Sequence, residues 1–315
     1  MRVLVTGGGG FVGSHVVRLL RAREHACSIT RRGSAQGEAA VQRLELPDDQ
    51  RCTEILEASR PDAVVHLAGM SSPGDAAASP RKAWDVNADG TLSVLRALRH
   101  VDPTGEIRFV LASTAQIYDP RSCAGPNEPA LDESAPLAPQ NWYAQTKLAA
   151  ELAAELSRLE GRRGVVVFRS FNHIGPGQRP AFAAAAFARQ IVAIERGQSR
   201  PLVETGNLEP RRDFCDVRDA AEAYVLAAEG RLPPGTYNLC SGKSVSLREI
   251  VECLRELAGI DFTVRERPDL VRRGEPLVVR GDARKIFGAV GWVARIRLRE
   301  SLQDVLASAR KDVDG

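Results

Sequence analysis

The chain has 315 residues, of which 43% are hydrophobic and 26% charged, a composition typical of a globular protein with one large domain or two unequal ones. A net charge of +3 is too small to indicate a nucleic-acid partner, and six scattered cysteines without C-x-x-C spacing indicate neither a metal site nor a disulfide framework. No signal peptide is evident and no apolar stretch reaches the roughly 18 residues of a membrane span, so we expect a cytoplasmic protein without a membrane partner.

The first predicted unit is a strand, a glycine-rich turn and a helix. Val3–Val5 has no polar alternation, as expected for a strand buried on both faces. In this context Gly7 permits a tight turn, Gly10 lets the backbone approach a pyrophosphate and Gly13 allows close packing of the helix. The N–H groups at the helix start would face the phosphates. The cofactor-binding residues predicted here are Gly7, Gly10, Phe11, Val12 and Gly13.

The second strand, Ala26 to Thr30, is followed by Arg31 and Arg32. NAD-binding folds usually carry an acidic residue there that holds the ribose hydroxyls, whereas an arginine suits the 2′-phosphate of NADP. The arginines therefore favour NADPH; NAD(H) stays open as the alternative, and so does a solvated turn. A third run from residue 41 brings Glu45 and Leu46 to a loop on the adenine side.

The fourth strand ends in residues that leave room for a ligand at the carboxyl edge of a sheet. These predicted cofactor-binding residues are Leu67, Ala68 and Gly69. His66, just before them, is interpreted as a structural histidine held by backbone groups rather than as a catalytic one.

Strand and helix continue to alternate beyond this point. Asn87 lies at the start of a long helix, and the fifth strand, Ile107–Ala112, leads to Thr114, whose hydroxyl lies where ligands bind. The alternation predicts an α/β fold with a Rossmann-type doubly wound parallel sheet.

Tyr143 and Lys147 lie four residues apart in a helix-forming sequence, so both side chains project from one face. An ammonium beside a phenol lowers the phenol pKa from its ordinary ~10, which suits the pair to proton transfer. A surface lysine near a half-buried tyrosine is the structural alternative.

The regular alternation fades after about residue 175. Predicted elements in this half are helices over Phe182–Arg196, Arg218–Glu229 and Ser246–Ala258, two short strands, and helices starting at Ala283 and Leu298. We therefore expect an NADP-binding domain over 1–175 and a smaller α/β substrate-binding lobe over 176–315, with some chain crossing between them.

The motifs together resemble the extended short-chain dehydrogenase/reductase family over the whole chain. They are TGGGGFVG, HLAG, Asn87-x-x-Gly90-Thr91, Thr114, Tyr143-x-x-x-Lys147 and Arg212-Asp213-Phe214. The segments FNHIGPGQ, GNLEPRRDFCDVRDAAEAY and RRGEPLVVRGD resemble the branch of GDP-mannose 4,6-dehydratases and GDP-4-keto-6-deoxymannose reductases, and most of all the reductases.

This resemblance implies a catalytic group of Thr114, Tyr143 and Lys147, in which Tyr143 donates a proton to a C4 ketone and Lys147 binds the nicotinamide ribose. It adds Asn87, Tyr143 and Lys147 to the cofactor contacts. It implies substrate contacts at Ser71, Thr114, Asn172, Asn207, Arg212, Arg272 and Glu275. The implied substrate is a GDP-linked 4-keto-6-deoxyhexose, and the implied assembly is a homodimer.

Two positions narrow the reaction. Ala115 and Gln116 stand where related dehydratases carry an acid–base pair, so we expect reduction rather than dehydration. The expected activity is NADPH-dependent reduction of GDP-4-keto-6-deoxy-D-mannose to GDP-D-rhamnose. The alternatives are a nucleotide-sugar 4-epimerase with retained NAD(P) and a non-catalytic NADP-sensing protein. Trp142 stands where the family has a small residue or proline and would border the sugar pocket.

Overall fold

The computed structural model describes residues 1–33, 41–123, 130–270 and 276–314. The strands are β1 Arg2–Thr6, β2 Ala26–Arg31, β3 Val41–Arg43, β4 Ala63–His66, β5 Arg108–Thr114, β6 Val165–Ser170, β7 Asn172–Ile174, β8 Leu202–Thr205, β9 Arg211–Asp216, β10 Gly235–Leu239, β11 Ser244–Ser246, β12 Thr263–Glu266 and β13 Val278–Val279. The α-helices are α1 Phe11–Ala22, α2 Asp49–Ser59, α3 Pro73–Ala78, α4 Pro80–Trp84, α5 Gly90–Val101, α6 Trp142–Leu159, α7 Ala183–Glu195, α8 Val217–Ala228, α9 Leu247–Ala258, α10 Arg284–Val290 and α11 Leu298–Asp314.

A seven-stranded parallel sheet organises the described residues, in the order β10-β6-β5-β4-β1-β2-β3. Its central strands are apolar because helices cover both faces. Helices α1 and α8 pack on one face around Leu20 and Tyr224, and α2, α5 and α6 pack on the other around Ile55 and Leu98. The predicted doubly wound fold is confirmed.

A second layer of structure is built mainly from the later part of the chain. Helices α7, α9 and α11 pack around Ile191, Leu254 and Leu302. Small sheets flank them, with β9 between β11 and β13, β7 paired with β9, and β12 paired with β8. Helix α9 starts at its predicted position because Ser246 and Glu249 form a capping box.

The structure differs from the predicted elements in several places. Strand β10 returns to the seven-stranded sheet beside β6, and α8 packs on α1. The later half of the chain therefore contributes a strand and a covering helix to the nucleotide-binding fold. Short elements that sequence reasoning missed are α3, β7, β9, β11, β12 and β13. The helix that leads to α5 contains a π-helical segment, Asp85–Asp89. Among the described residues, no helix is both long and apolar enough to cross a membrane.

Candidate active site at the carboxyl edge of the sheet

The glycine turn after β1 has the backbone geometry that its sequence predicts. Gly7 has a φ of +68°, and a Cβ on it would lie 2.8 Å from the backbone nitrogen of Ala68. A Cβ on Gly13 would lie 2.3 Å from the Gly7 carbonyl oxygen, so glycine is required for α1 to pack this closely. Gly10 precedes α1 as its N-cap and offers no side-chain cap, while Phe11 and Val12 form the first turn.

The residues expected on the adenosine side follow β2 and β3. Arg31 and Arg32 are exposed at the end of β2. Glu45 accepts a hydrogen bond from Arg43 at 2.8 Å, and both side chains are exposed. Leu46 packs against the start of α5, where a Cβ on Gly90 would lie 2.8 Å from the Leu46 Cβ. Their contacts with a cofactor stay predictions.

The expected catalytic side chains come together where β5 meets α6. Thr114 ends β5, and Tyr143 and Lys147 lie one turn apart at the start of α6. All three are buried, and the Thr114 side chain lies close enough to the Tyr143 phenol to influence its pKa. Helix α6 starts here because the Asn141 side chain accepts a hydrogen bond from the Ala144 N–H at 2.9 Å.

Burial determines the protonation of this group. It raises the pKa of Tyr143 above its ordinary 10.0, and the neighbouring Thr114 side chain opposes that increase in part. Burial also lowers the pKa of Lys147 to about 8, and the Glu151 carboxylate opposes that decrease. The sequence-based expectation that the Tyr143 pKa is lowered is therefore wrong, because desolvation disfavours both the phenolate and the ammonium.

His66 belongs to a buried chain of hydrogen bonds beneath the site. Its Nδ1 lies 2.7 Å from the Thr6 hydroxyl, and its Nε2 lies 3.1 Å from the Thr91 hydroxyl. Since the Thr91 hydroxyl donates to the Asn87 carbonyl at 2.7 Å, it accepts from Nε2, and the Thr6 hydroxyl donates to Nδ1. Burial lowers the pKa of His66 to about 3, so the ring is neutral. The partners of this structural histidine are hydroxyl groups, not the backbone groups that we expected.

The Asn87 side chain continues the chain toward α6. Its Oδ1 accepts from the Met70 N–H at 2.8 Å, and its Nδ2 donates to the Met70 carbonyl at 3.1 Å and to the Thr146 hydroxyl at 2.9 Å. The Thr146 hydroxyl then donates to the Tyr143 carbonyl at 2.9 Å. Asn87 therefore links the loop after β4 to the catalytic helix. A direct contact between Asn87 and the cofactor stays a prediction. Only the second lone pair of Oδ1 is left for such a contact, because both Nδ2 hydrogens are already donated.

The predicted substrate residues that the structure describes lie on several elements. Ser71 is exposed just before α3. Asn172 is the exposed first residue of β7, and Arg212 lies on the neighbouring strand β9, half-buried. The Asn207 side chain accepts a hydrogen bond from the Glu209 N–H at 3.0 Å, which shapes the loop before β9. The predicted nucleoside contacts Arg272 and Glu275 lie outside the described residues.

His173 in β7 is a candidate site residue that sequence reasoning missed. Both of its ring nitrogens are buried, and neither has a hydrogen-bond partner among the described residues. Burial lowers its pKa to about 4, so the neutral ring has one donor and one acceptor to offer. An unpartnered buried polar group costs about 1–3 kcal/mol and so points to a bound molecule. The available signal was its place beside Asn172 in FNHIGPGQ.

The segment after Thr114 carries no titratable side chain in its first two positions. Ala115 is buried, and Gln116 is exposed and accepts a hydrogen bond from Asn141 at 3.1 Å. Trp142, the first residue of α6, is 50% exposed. The local chemistry therefore consists of one hydroxyl, one phenol and one ammonium, which suits proton transfer to a carbonyl oxygen.

Comparison with known proteins identifies the class. Residues 3–240 match the model of the NAD dependent epimerase/dehydratase family. The chain belongs to this family, the extended short-chain dehydrogenase/reductases, as the sequence motifs predicted. It is 34% identical to GDP-6-deoxy-D-mannose reductase of Pseudomonas aeruginosa over 307 residues, 97% of this chain and 96% of that protein.

Solved structures agree with this assignment. The structure of RMD from Pseudomonas aeruginosa complexed with NADPH matches with a TM-score of 0.81 and 31% identity, over 99% of this chain and 100% of that one. The UDP-glucose 4-epimerase of Thermus thermophilus in complex with NAD matches with a TM-score of 0.85 and 28% identity, over 98% and 99%. The protein is thus an oxidoreductase-like enzyme of the nucleotide-sugar group that uses a nicotinamide cofactor.

Proposed function

We propose that the enzyme uses NADPH to reduce the C4 ketone of GDP-4-keto-6-deoxy-D-mannose to GDP-D-rhamnose. The observation that carries the proposal is the meeting of Thr114, Tyr143 and Lys147 where β5 meets α6, with Ala115 and Gln116 in place of an acid–base pair. Similarity to the Pseudomonas reductase supports it.

The side chains have distinct roles in this reaction. Bound NADPH supplies the hydride. Tyr143 keeps its proton at neutral pH because burial raises its pKa, and it donates that proton to the oxygen that becomes the C4 hydroxyl. The Thr114 hydroxyl holds the same oxygen and stabilises the negative charge that develops there. The Lys147 ammonium favours the phenolate that remains.

The cofactor fits the residues at this edge. The N–H groups at the start of α1, left uncapped by Gly10, suit a pyrophosphate. The guanidinium groups of Arg31 and Arg32 suit a 2′-phosphate, which favours NADP over NAD. The neutral, buried ring of His173 suits the nicotinamide carboxamide, which both donates and accepts hydrogen bonds.

On the substrate side, Asn172 and Arg212 would bind the diphosphate, and Arg272 with Glu275 would bind the guanosine. An arginine fork matches the geometry of phosphate oxygens. Ser71 and Asn207 would complete the contacts with the sugar and its diphosphate.

A 4-epimerase that retains its cofactor is the second candidate. The similarity to the Thermus epimerase favours it, since that enzyme binds NAD and matches nearly the whole chain. Arg31 and Arg32 favour the reductase instead, because an enzyme that retains NAD gains nothing from a 2′-phosphate site.

We also propose a cytoplasmic homodimer formed through α5 and α6. Leu152, Leu156 and Leu159 are 61%, 55% and 68% exposed along α6, at spacings that place them on one side of the helix. Such an apolar stripe is suited to burial against a second copy. Sedimentation equilibrium tests this, and a monomer mass at micromolar concentration would contradict it.

Incubation with GDP-4-keto-6-deoxy-D-mannose and NADPH tests the reaction through the loss of nicotinamide absorbance. We expect stoichiometric oxidation of NADPH and formation of a 6-deoxyhexose. An enzyme that oxidises no NADPH with this ketone, yet interconverts UDP- or GDP-hexoses without added reductant, is an epimerase and not the reductase.

A further inference from the structure

Glu151 is a buried acid one helical turn beyond Lys147 on α6. It is 6% exposed, and burying a carboxylate is costly unless other groups pair with it. Its Oε2 accepts from the Ser113 hydroxyl at 2.9 Å, and its Oε1 accepts from Arg169 Nε at 3.0 Å. Ser113 directly precedes Thr114 on β5 and pairs with Arg169 of β6 in the sheet register. The Glu151 carboxylate is therefore hydrogen bonded to side chains of both β5 and β6.

The Arg169 guanidinium is held from its other side as well. It donates to the Tyr118 hydroxyl at 3.2 Å and to the Glu133 carbonyl at 3.0 Å, and it lies 5.0 Å from the centre of the Tyr118 ring. Replacing a buried ion pair by apolar residues is often neutral or stabilising, so fold stability alone does not explain this pair.

We propose that Glu151 and Arg169 form a positioning pair that holds Lys147 in its charged form beside Tyr143. Neither residue touches the reacting atoms. Glu151 supplies a fixed negative charge on the face of α6 that carries Lys147, and Arg169 fixes the carboxylate in place while it limits the net negative charge. Burial alone lowers the Lys147 pKa, and Glu151 is the charged group that opposes the decrease.

No other ionisable group facing Lys147 in the described residues supplies this charge. His66 on β4 is neutral, since its pKa is lowered to about 3, and Tyr143 is neutral, since its pKa is raised. The ionisable side chains on α3, α4, α5 and the π-helical segment are exposed or half-buried: Asp75, Arg81, Lys82, Asp85, Asp89, Arg96, Arg99 and His100.

Two variants break the same contact from opposite sides. Glu151→Gln removes the negative charge from the face of α6 that carries Lys147, whereas Arg169→Met leaves the Glu151 carboxylate without the cation that neutralises it. If the pair only stabilised the fold, the two variants should change the Lys147 titration in the same way. The charge proposal predicts opposite shifts of the Lys147 titration, because nearby like charges lower an ammonium pKa and opposite charges raise it.

Carbon-13 NMR of the lysine ε-carbons measures that titration without substrate or turnover. The lysines to resolve are Lys82, Lys147, Lys243, Lys285 and Lys311. The signal that disappears in Lys147→Met assigns the resonance. We expect Glu151→Gln to lower the titration midpoint by about one pH unit and Arg169→Met to raise it. Shifts in the same direction, or an unchanged midpoint in Glu151→Gln, would overturn the proposal.

A second buried ion pair provides the control. Arg162 donates to Asp102 at 2.9 Å, with the two side chains 4% and 8% exposed, at the opposite edge of the sheet. Asp102→Asn and Arg162→Met should leave the Lys147 midpoint unchanged. If a single variant of the Glu151 pair fails to fold, the double variant Glu151→Gln, Arg169→Met still tests the idea. Its midpoint should lie below the wild-type value, and a midpoint at or above it contradicts the proposal.

The proposed function supplies a second readout. The alkaline limb of the kcat profile should move to lower pH in Glu151→Gln and to higher pH in Arg169→Met. A normal NMR result with no ketone reduction would reject the proposed reaction and keep the charge proposal.

Discussion

His66 and His173 lie in two regions of the molecule that treat a buried imidazole in opposite ways. Burial keeps both rings neutral, with pKa values lowered to about 3 and about 4. The His66 nitrogens are both hydrogen bonded to threonine hydroxyls, while the His173 nitrogens have no partner among the described residues. The first ring belongs to the framework under α6, and the second lies in β7, where we propose that it contacts the cofactor.

The difference in hydrogen-bond partners separates a residue that positions the catalytic helix from one that is suited to bind a ligand. The chain through His66, Thr91, Asn87 and Thr146 ends at the Tyr143 carbonyl, so it fixes where the phenol is placed. A ring with an unused donor and acceptor contributes little to the fold and is suited to contact a bound molecule. Substitutions on the two sides should therefore have different consequences.

The largest effect should follow Tyr143→Phe. This variant removes the phenol hydroxyl and leaves the hydrogen-bond chain from His66 to the Tyr143 carbonyl intact. We expect turnover to fall by about 10²- to 10⁴-fold, since the proton donor is lost. NADPH binding, measured by fluorescence titration, should stay nearly unchanged. Loss of cofactor binding would instead give Tyr143 a structural role.

Acid should destabilise the fold through both histidines. Each has a folded pKa below its unfolded value of 6.5, so the unfolded state takes up protons first and stability is lost as pH falls below about 6.5. The loss is about 1.4 kcal/mol per pH unit and per histidine until the folded pKa is reached. Urea denaturation at pH 6.5 and 5.0 should show a smaller loss for His66→Leu than for the wild type. Equal losses would contradict the neutral, buried His66.

At neutral pH, replacing His66 should affect the stability of the fold, whereas replacing His173 should affect NADPH binding. His66→Leu removes two hydrogen bonds and should lower the unfolding free energy by about 1–3 kcal/mol. His173→Leu should leave the unfolding free energy unchanged or higher, and weaken NADPH binding in calorimetry. If His173→Leu destabilises the protein as much as His66→Leu and binds NADPH normally, the distinction fails.

The smallest effect should follow Thr146→Val, which keeps the side-chain shape and removes the hydroxyl between Asn87 and the Tyr143 carbonyl. We expect about 1 kcal/mol of destabilisation and a kcat decrease of up to about 10²-fold, because small displacements of a catalytic group are costly. Thr53→Val is the matched control, since the exposed Thr53 hydroxyl bonds to the Asp49 carbonyl within its own helix. The control should retain full activity, and an equal kcat decrease in both variants would rule out the positioning role.

Local sequence patterns were enough to predict the nucleotide-binding fold and the proposed catalytic residues. Gly7, Gly13 and the Tyr143–Lys147 spacing act through covalent geometry over a few residues, so their context in a strand, turn and helix was enough. The strand β9 was missed because its polar sequence is stabilised by distant partners. Asp213, for example, accepts hydrogen bonds from Ser241 and from the Gly281 N–H.

The electrostatics of the site depend on packing that sequence does not display. Ala76 of α3 and Ala83 of α4 pack against Tyr143, and this burial reverses the expected direction of its pKa shift. The place of His173 beside Asn172 could be read from the sequence, but its unpartnered ring nitrogens could not, because they depend on the surroundings that the described residues form.

Isotope transfer tests the proposed reaction most directly. The enzyme would be incubated with GDP-4-keto-6-deoxy-D-mannose and NADPH deuterated at both positions of the nicotinamide C4, and the product sugar analysed by mass spectrometry and NMR. The account predicts one deuterium per product molecule, bound to C4 of a 6-deoxyhexose. A product without deuterium, or epimerised hexose formed without NADPH consumption, would contradict it.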